Sequence, residues 1–500
     1  MNHWIIAPVV LPAFVAAFMV LTMRGHLELQ RIASLAAIVA LNAIAVGLLW
    51  SATAHGPEAY FLGDWPAPFG ISLVLDRLSA MMVALLAFVA LITTLYAIGS
   101  GWDAKGAHFH PLLQFLLMGV GGAFLTGDAF NLFVFFEVLL IASYGLMIHG
   151  GGARRTRAGI QYVAFNLVGS SLFLIALALL YGVTGTLNMA DLAAKLPSLP
   201  EGDAALLRVA AVMMILVFAI KGALVPLQFW LPGTYANAPG VVAALFAIMT
   251  KVGAYATLRF VTLVFPTDLP ATGTLIPAFL LPAALVTLAI GALGILGATT
   301  LPRLAAFAAI ASMGTAFLAI AHMSPQATSA ALFYILHSTL ATALIFLVSD
   351  LVSRRRAHLR LDVASPVAQN GLVAALFLAA AVAVAGMPPL SGFIGKLLIL
   401  DAWRDQAFAI WPAVLASSFL MLLGLSRAGS LLFWKPSEPA ETAEPAPHEP
   451  LALTAAFALL AMIVALTLAA GPVTGWLDGT AASLHDPAAY IAANRLEVVP

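Results

Sequence analysis

The sequence predicts an all-α membrane protein of about fourteen transmembrane helices, built around two inverted five-helix repeats that each contain a broken helix. Three observations predict it. Hydrophobic residues make up 62% of the 500 residues and charged residues only 9%, against roughly 25% charged in soluble domains. Apolar runs of about 20 residues, the length that crosses a bilayer, recur from end to end. Two of these runs are interrupted by proline beside a lysine, Lys221 before Pro226 and Pro388–Pro389 before Lys396, five spans apart. Paired broken helices at matching positions of two halves point to an inverted repeat with a site in each half.

Composition also excludes. The formal net charge is zero, which removes a polyelectrolyte argument for nucleic acid. With no cysteine there are no disulfides, iron–sulfur clusters or thiolate metal sites. The first apolar stretch, Trp4 to Leu21, has no basic residue ahead of it and no small-residue cleavage pattern, so it reads as an uncleaved span.

In chain order the expected spans are Trp4–Met23, Ile32–Trp50, Ile71–Ile98, Pro111–Leu125, Ala129–Ile148, Ile160–Val183, Ala210–Trp230 and Val241–Val264. Then come Thr274–Leu296, Leu301–His322, Thr328–Val352, Gly371–Leu400 interrupted at Pro388–Pro389, Ala407–Trp434 and Leu451–Ala470. Ala52–Gly70 reads as a polar outer loop. Lys435–Pro450, with Glu438, Glu441, Glu444 and Glu449, reads as a disordered acidic connector. The tail after Gly471 is polar enough to leave the bilayer. Odd-numbered loops and their margins hold 13 basic residues against 4 in the even-numbered ones. That bias puts the odd loops in the cytoplasm and both termini outside. The organisation expected is three N-terminal spans (1–110), a first repeat where protons enter (111–265), a second where they leave (266–434), and the connector, last span and tail (435–500).

Glu137, Lys221, Lys251 and Lys396 fall well inside spans, and His337 joins them. Ionisable groups at that depth are costly and mark ion or proton routes. Glu137 ends the run Phe133–Val134–Phe135–Phe136, where a lone carboxylate is poorly tolerated, and Lys221 is its expected partner. At an effective dielectric near 20, a unit pair about 5 Å apart is worth roughly 3 kcal/mol. Opening and closing that pair would load and release a proton. A static ion pair that only fixes helix packing is the bland alternative, and buried pairs are poor stabilisers. Lys251 lies near the middle of its span. Lys396 lies at depth if the Pro388–Pro389 break is inside the membrane; otherwise it snorkels. His337 is either a satisfied core histidine or a relay, since imidazole exchanges protons near neutral pH. His322 and His149 lie at span ends, which argues against a haem. Asp76 is expected to pair with Arg77 at the outer edge, and Asp128 to cap a helix. There is no phosphate-binding glycine loop, metal-ligand cluster or nucleophile–base spacing. No cofactor and no metal is expected, and the chain reads as a secondary transporter subunit and not as an enzyme.

Phe135–Phe136–Glu137–Val138–Leu139–Leu140 with Ser143–Tyr144–Gly145–Leu146 resembles the glutamate helix of the antiporter-like subunits shared by respiratory complex I and Mrp-type cation/proton antiporters. Lys221–Gly222–Ala223–Leu224–Val225–Pro226, Trp230–Leu231–Pro232 and Thr250–Lys251–Val252–Gly253–Ala254–Tyr255 resemble its two lysine helices. Gly386–Met387–Pro388–Pro389–Leu390–Ser391–Gly392–Phe393–Ile394–Gly395–Lys396 resembles its second broken helix. Tyr181 to Asp191 and Ser143–Tyr144 look most like the D subunits of Mrp antiporters. The resemblance implies Glu137–Lys221 as a switching pair, with Lys251, His337 and Lys396 continuing a mid-membrane path. Two positions depart from the pattern. Gln228 stands where many relatives place a histidine. Thr342 stands where many carry a lysine one turn after the histidine equivalent to His337, so water must bridge there.

The expected function is proton translocation coupled to sodium or potassium export within a multisubunit antiporter of the inner (cytoplasmic) membrane. Its expected partners are the other subunits, the lipid bilayer, H+ and the exchanged cation. The alternatives are a proton-pumping subunit of a redox-driven complex I-type or membrane hydrogenase complex, and a membrane scaffold with vestigial charges.

Overall fold

The computed structural model describes residues 2–356, 358–363, 367–435 and 448–496. The chain begins with α1 (Ala7–Thr22), α2 (Leu27–His55) and α3 (Arg77–Ser100). The loop between the last two holds a hairpin of β1 (Glu58–Phe61) and β2 (Ser72–Leu75), with Glu58 opposite Leu75 and Phe61 opposite Ser72. This small sheet corrects the expected start of the third span. Ser72 to Leu75 pair as a buried strand, and helix begins only where Asp76 can cap it. Ser79 N–H donates to Asp76 Oδ1 at 2.8 Å and Asp76 N–H to Ser79 Oγ at 2.8 Å, a reciprocal capping box.

The expected Asp76–Arg77 pair is not formed. Adjacent residues do not face each other at a helix start, and Arg77 turns to the Trp476 ring, 5.6 Å away. Asp76 instead takes both arms of Arg259, at 2.6 and 2.9 Å.

The first five-helix unit comprises α4 (Phe109–Leu125), α5 (Ala129–Met147), α6 (Ala153–Thr184), a broken helix and α10 (Gly240–Arg259). The short α7 (Met189–Lys195) follows α6, and the broken helix is α8 (Ala204–Lys221) plus α9 (Trp230–Tyr235). The second unit comprises α11 (Leu275–Gly297), α12 (Leu301–Ile320), α13 (Pro325–Ser353), the broken pair α14 (Asn370–Ala385) and α15 (Ser391–Ala402), and α16 (Ala407–Gly429). After them come α17 (Pro450–Leu468), α18 (Ala470–Leu484) and α19 (Ala488–Ala493). Five crossings are an odd number, so the second unit enters the bilayer in the opposite sense to the first.

Local details repeat at matching places. The fourth helix is broken in both units. A bridge joins the start of the second helix to the chain after the third, Asp128 with Asn188 and Thr300 with Arg360. The fifth helix ends in a π turn, closed by Phe265 N–H to Phe260 O (2.7 Å) and Lys435 N–H to Ser430 O (2.9 Å). Among the described residues twelve helices are long and apolar enough to cross a membrane, and α4 and α14 are shorter apolar helices. The Gly240–Val264 span is wholly buried, whereas a third of α17 is. The lysine-bearing α10 is therefore interior, and α17 faces outward.

Two expected spans change shape. The span expected over Ala210–Trp230 stops at Lys221, with Gly222 as its cap and Ala223 at φ 55°. Pro226 lacks an N–H and restricts the residue before it, so the chain leaves the helix before reaching it. Lys221 is thus the last helical residue and not an interior one. Likewise Gly371–Leu400 divides at Gly386, whose φ of 72° ends α14. Of the acidic connector, residues 436–447 lie outside the described residues. Glu449 at its end is buried and binds Arg354 and Arg355, the latter at 3.3 Å. The tail runs as α18 and α19 on the face that also holds the N-terminus. There Asp478 accepts from Ser329 Oγ at 2.6 Å, and the His3 ring lies 5.6 Å from Tyr60.

Candidate functional site

Glu137 lies on α5, half-buried, and accepts a short hydrogen bond from the Ser170 hydroxyl of α6. Lys221, at the end of α8, donates from Nζ to Asn166 Oδ1 at 3.0 Å. Asn166 Nδ2 donates to the Tyr162 carbonyl at 2.8 Å, which fixes which way the amide points. The expected switching pair is therefore not in contact: its two charges are held apart by two residues of α6. The Lys221 ammonium also stands 5.6 Å from the Phe136 ring centre. Beside it is a cavity of about 20 Å³ lined in part by Tyr162, Trp230, Tyr235 and Met249, enough for a water molecule.

The helix break builds this site. Trp230 Nε1 donates to the Ile220 carbonyl at 3.0 Å and Val225 N–H to Thr287 Oγ1 at 2.9 Å. A carbonyl freed at the end of α8 and an N–H in the break thus find partners inside protein, as backbone at membrane depth must. Gly253 of α10 lies against the Gly222 backbone, where a Cβ would collide. This close approach places the helix of Lys251 directly behind the break.

Lys251 is 1% exposed and donates to Met313 Sδ at 3.2 Å, a weak acceptor. His337 on α13 is held at both nitrogens. Nε2 lies 3.1 Å from the Ala383 carbonyl and Nδ1 2.9 Å from Ser391 Oγ. The carbonyl can only accept, so Nε2 carries the proton and Nδ1 accepts from the serine. Lys396 on α15 donates to the Ala385 carbonyl and to Ser418 Oγ, both at 2.8 Å. Ala385 ends α14, so the ammonium sits at the negative end of a half-helix. Lys396 is 5% exposed and buried among protein, so it does not snorkel.

The structure gathers the five residues into two groups. Glu137 and Lys221 share one turn of α6. His337 and Lys396 meet at the α14–α15 break, each bonded to one of the last carbonyls of α14. Lys251 stands between with only the thioether for company among the described residues. Thr342 is buried, and Gln228 Oε1 is buried in the first break without a partner among the described residues. Sequence reading missed Asn166, Ser170 and Ser418. Tyr162, Asn166 and Ser170 recur every fourth residue on a mostly apolar span, and that polar stripe was the available signal.

A second cavity of about 450 Å³ lies on the face opposite the chain ends, lined by Arg155, Asn237, Ser349 and Asp350. Asp350 accepts from Trp102 Nε1 at 3.0 Å and Tyr96 Oη at 2.8 Å. Tyr235 lines both this cavity and the water-sized space at Lys221.

Buried amines at the ends of half-helices, in two units of opposite sense, define a multi-pass helical membrane protein of the antiporter-like class. The chain belongs to the NADH:quinone oxidoreductase/Mrp antiporter, TM family, whose model matches residues 126–424. It is 36% identical to the D subunit of a probable K(+)/H(+) antiporter of Rhizobium meliloti (strain 1021), over 97% of this chain and 96% of that one. It is also 36% identical to the D subunit of the Na(+)/H(+) antiporter of Alkalihalophilus pseudofirmus, over 98% of this chain and 99% of that one. A chain in the solved structure of the Mrp complex from Dietzia sp. DQ12-45-1b superposes with a TM-score of 0.90 at 28% identity, covering 99% of this chain and 100% of that one.

Proposed function

We propose that this chain is the proton-translocating subunit of a multisubunit monovalent cation/proton antiporter in the cytoplasmic membrane. Protons move through Glu137, Lys221, Lys251, His337 and Lys396, coupled to export of sodium or potassium. One observation carries the reading. Three lysines are buried at or between two helix breaks, and each is bonded to a neutral group: an amide, a thioether, or a carbonyl with a hydroxyl. Among the described residues no carboxylate locks these ammonium groups in their charged form, so each can give up and regain a proton. A structural lysine would be expected to bind a carboxylate, as Lys195 binds Asp191 here at 2.8 Å.

The 450 Å³ cavity supports proton passage at the face opposite the chain ends, with Tyr235 lining both it and the space at Lys221. The basic-residue bias makes that face cytoplasmic and leaves both ends outside. Relatives that match over nearly their whole length and carry sodium/proton and potassium/proton antiporter names favour this reading over a redox-driven pump.

The test is cation-driven proton exchange in everted vesicles of an antiporter-deficient host expressing all subunits, sodium against potassium. Glu137→Ala or Lys221→Ala should abolish exchange while the complex still assembles on a native gel. Exchange at the wild-type rate in either variant overturns the proposal.

A further inference from the structure

We propose that α10 carries a second, gated proton route, between Lys251 and the face that holds the chain ends. Asp76 is its entry carboxylate, Arg259 its electrostatic gate and Tyr490 its lid. The proposal rests on the proton-carrying role of Lys251 and is separate from the exit at Lys396.

Lys251, Tyr255 and Arg259 are spaced by four, so they share one face of α10. The Tyr255 hydroxyl donates to the Phe124 carbonyl at 2.6 Å and accepts from Arg259 Nη2 at 3.4 Å. Arg259 is 3% exposed and grips Asp76 with both arms. Its Nε is buried with no hydrogen-bond partner among the described residues. A desolvated guanidinium donor left free in this way marks a polar site that a water would complete. Tyr490 of α19 closes the outer side, its ring centre 5.1 Å from the guanidinium carbon. Its hydroxyl lies over Gly127, beside Asp128, the second carboxylate on this rim.

Nothing in the path from Glu137 to Lys396 uses this cluster. Asp76 caps α3 and Arg259 ends α10, so a purely structural pair would suffice to tie the two helices. The additions are the in-line Tyr255, the free Nε and the aromatic cover.

A guanidinium does not release its proton. While paired, it repels any cation arriving along α10, as positive side chains do in selective pores. The gate opens when Asp76 takes a proton from the aqueous face. The Asp76 carboxylate becomes a carboxylic acid. Neutral Asp76 no longer holds Arg259, which turns toward Tyr490. Asp76 then gives up its proton inward, with water as the mobile carrier. The Tyr255 oxygen accepts a proton as its own moves on, and the Lys251 amine becomes an ammonium. The restored carboxylate re-forms the pair with Arg259.

The experiment uses the whole complex in everted vesicles, with cation-driven exchange and passive proton leak both recorded. Asp76→Asn keeps the capping oxygen and the volume but removes titration and the charge that holds Arg259, so exchange should fall at least tenfold with normal assembly. Tyr490→Ala should raise the passive leak at least threefold in the absence of cation. Arg77→Gln, next in the chain but outside the cluster, should exchange like wild type. Asp76→Asn exchange within twofold of wild type, or a Tyr490→Ala leak equal to wild type, overturns the route. If Asp76→Asn does not assemble, Tyr255→Phe decides: a loss of threefold or more supports the route, and a wild-type rate overturns it. Glu137→Gln is run alongside. An inactive Glu137→Gln with a fully active Asp76→Asn rejects this route alone, whereas a fully active Glu137→Gln rejects the main path and this route with it.

Discussion

Asn166 and Ser170 stand one helical turn apart on α6 and divide two opposite charges between them. Asn166 Oδ1 takes the Lys221 ammonium at 3.0 Å, and the Ser170 hydroxyl binds Glu137. A glutamate and a lysine that met directly in so apolar a setting would form a deep electrostatic trap. Separate neutral partners keep the well shallow, so a proton can arrive and leave.

Asn166→Ala leaves the buried ammonium without its acceptor. A hydrogen bond to a charged group contributes about 1.5–3 kcal/mol. Exchange should fall about tenfold or more while assembly survives. Ser170→Ala should cost less, because Glu137 is only half-buried. Vesicle exchange assays check both, and rates equal to wild type would show that α6 does not hold the charges.

Lys251→Met places a side chain of similar length beside Met313. A buried charge is no asset to stability, and apolar replacement of buried ionic groups is often neutral or stabilising by about 1–4 kcal/mol. The complex should melt at the same temperature or higher and lose exchange entirely. Thermal unfolding in detergent and vesicle exchange on one preparation read the two effects separately. A lower melting temperature would mean that Lys251 is structural.

Ser418→Ala removes one of two acceptors from Lys396 and leaves the Ala385 carbonyl. The change is worth about 0.5–1.5 kcal/mol, which is about two- to tenfold in rate at about 1.36 kcal/mol per decade. Lys396→Ala also abandons that carbonyl and should be inactive. Equal rates in the two variants would contradict the assignment.

Asp103, in the loop between α3 and α4, is fully buried with Arg31 at 2.6 Å and His110 at 3.2 Å. Burial works to raise its carboxyl, but the bonds from His110 and Arg31 outweigh this and hold it at about 2. A depressed folded value stabilises above the usual carboxylate range and is lost as pH falls through about 2. With screening at the partly exposed Arg31 allowed for, the contribution is about 1–2 kcal/mol. Asp103→Asn should therefore melt below wild type at pH 6, with the gap narrowing from pH 4 downward. A gap that widens on acidification would reverse the sign.

Much of the fold was legible because bilayer thickness fixes the length of each apolar run and proline next to lysine marks both breaks. The exact place of the first break was not. Lys221 reads as an interior residue in the sequence, yet α8 ends on it, because the constraint at Val225–Pro226 propagates back to Gly222. The third span begins later than the apolar run at Ile71 implies, since four apolar residues read equally as helix or buried strand and only the partner Glu58–Phe61 decides. In the site, charges stood out and neutral partners did not. A serine or asparagine in a span costs little and is common, so Ser418 carries no signal until α16 is packed against α15.

Sequence alone indicated a multi-pass membrane chain, marked two broken helices five spans apart, and singled out five ionisable groups within apolar runs. Those follow from solvation, which acts on each residue type wherever it stands. Tertiary packing decided who holds each group: Asn166 and not Glu137 for Lys221, Arg259 and not Arg77 for Asp76, a helix end for Lys396. A hydrogen bond reaches about 3 Å, and which atoms come that close across 183 residues of chain is a property of the folded helices and not of the order of the letters.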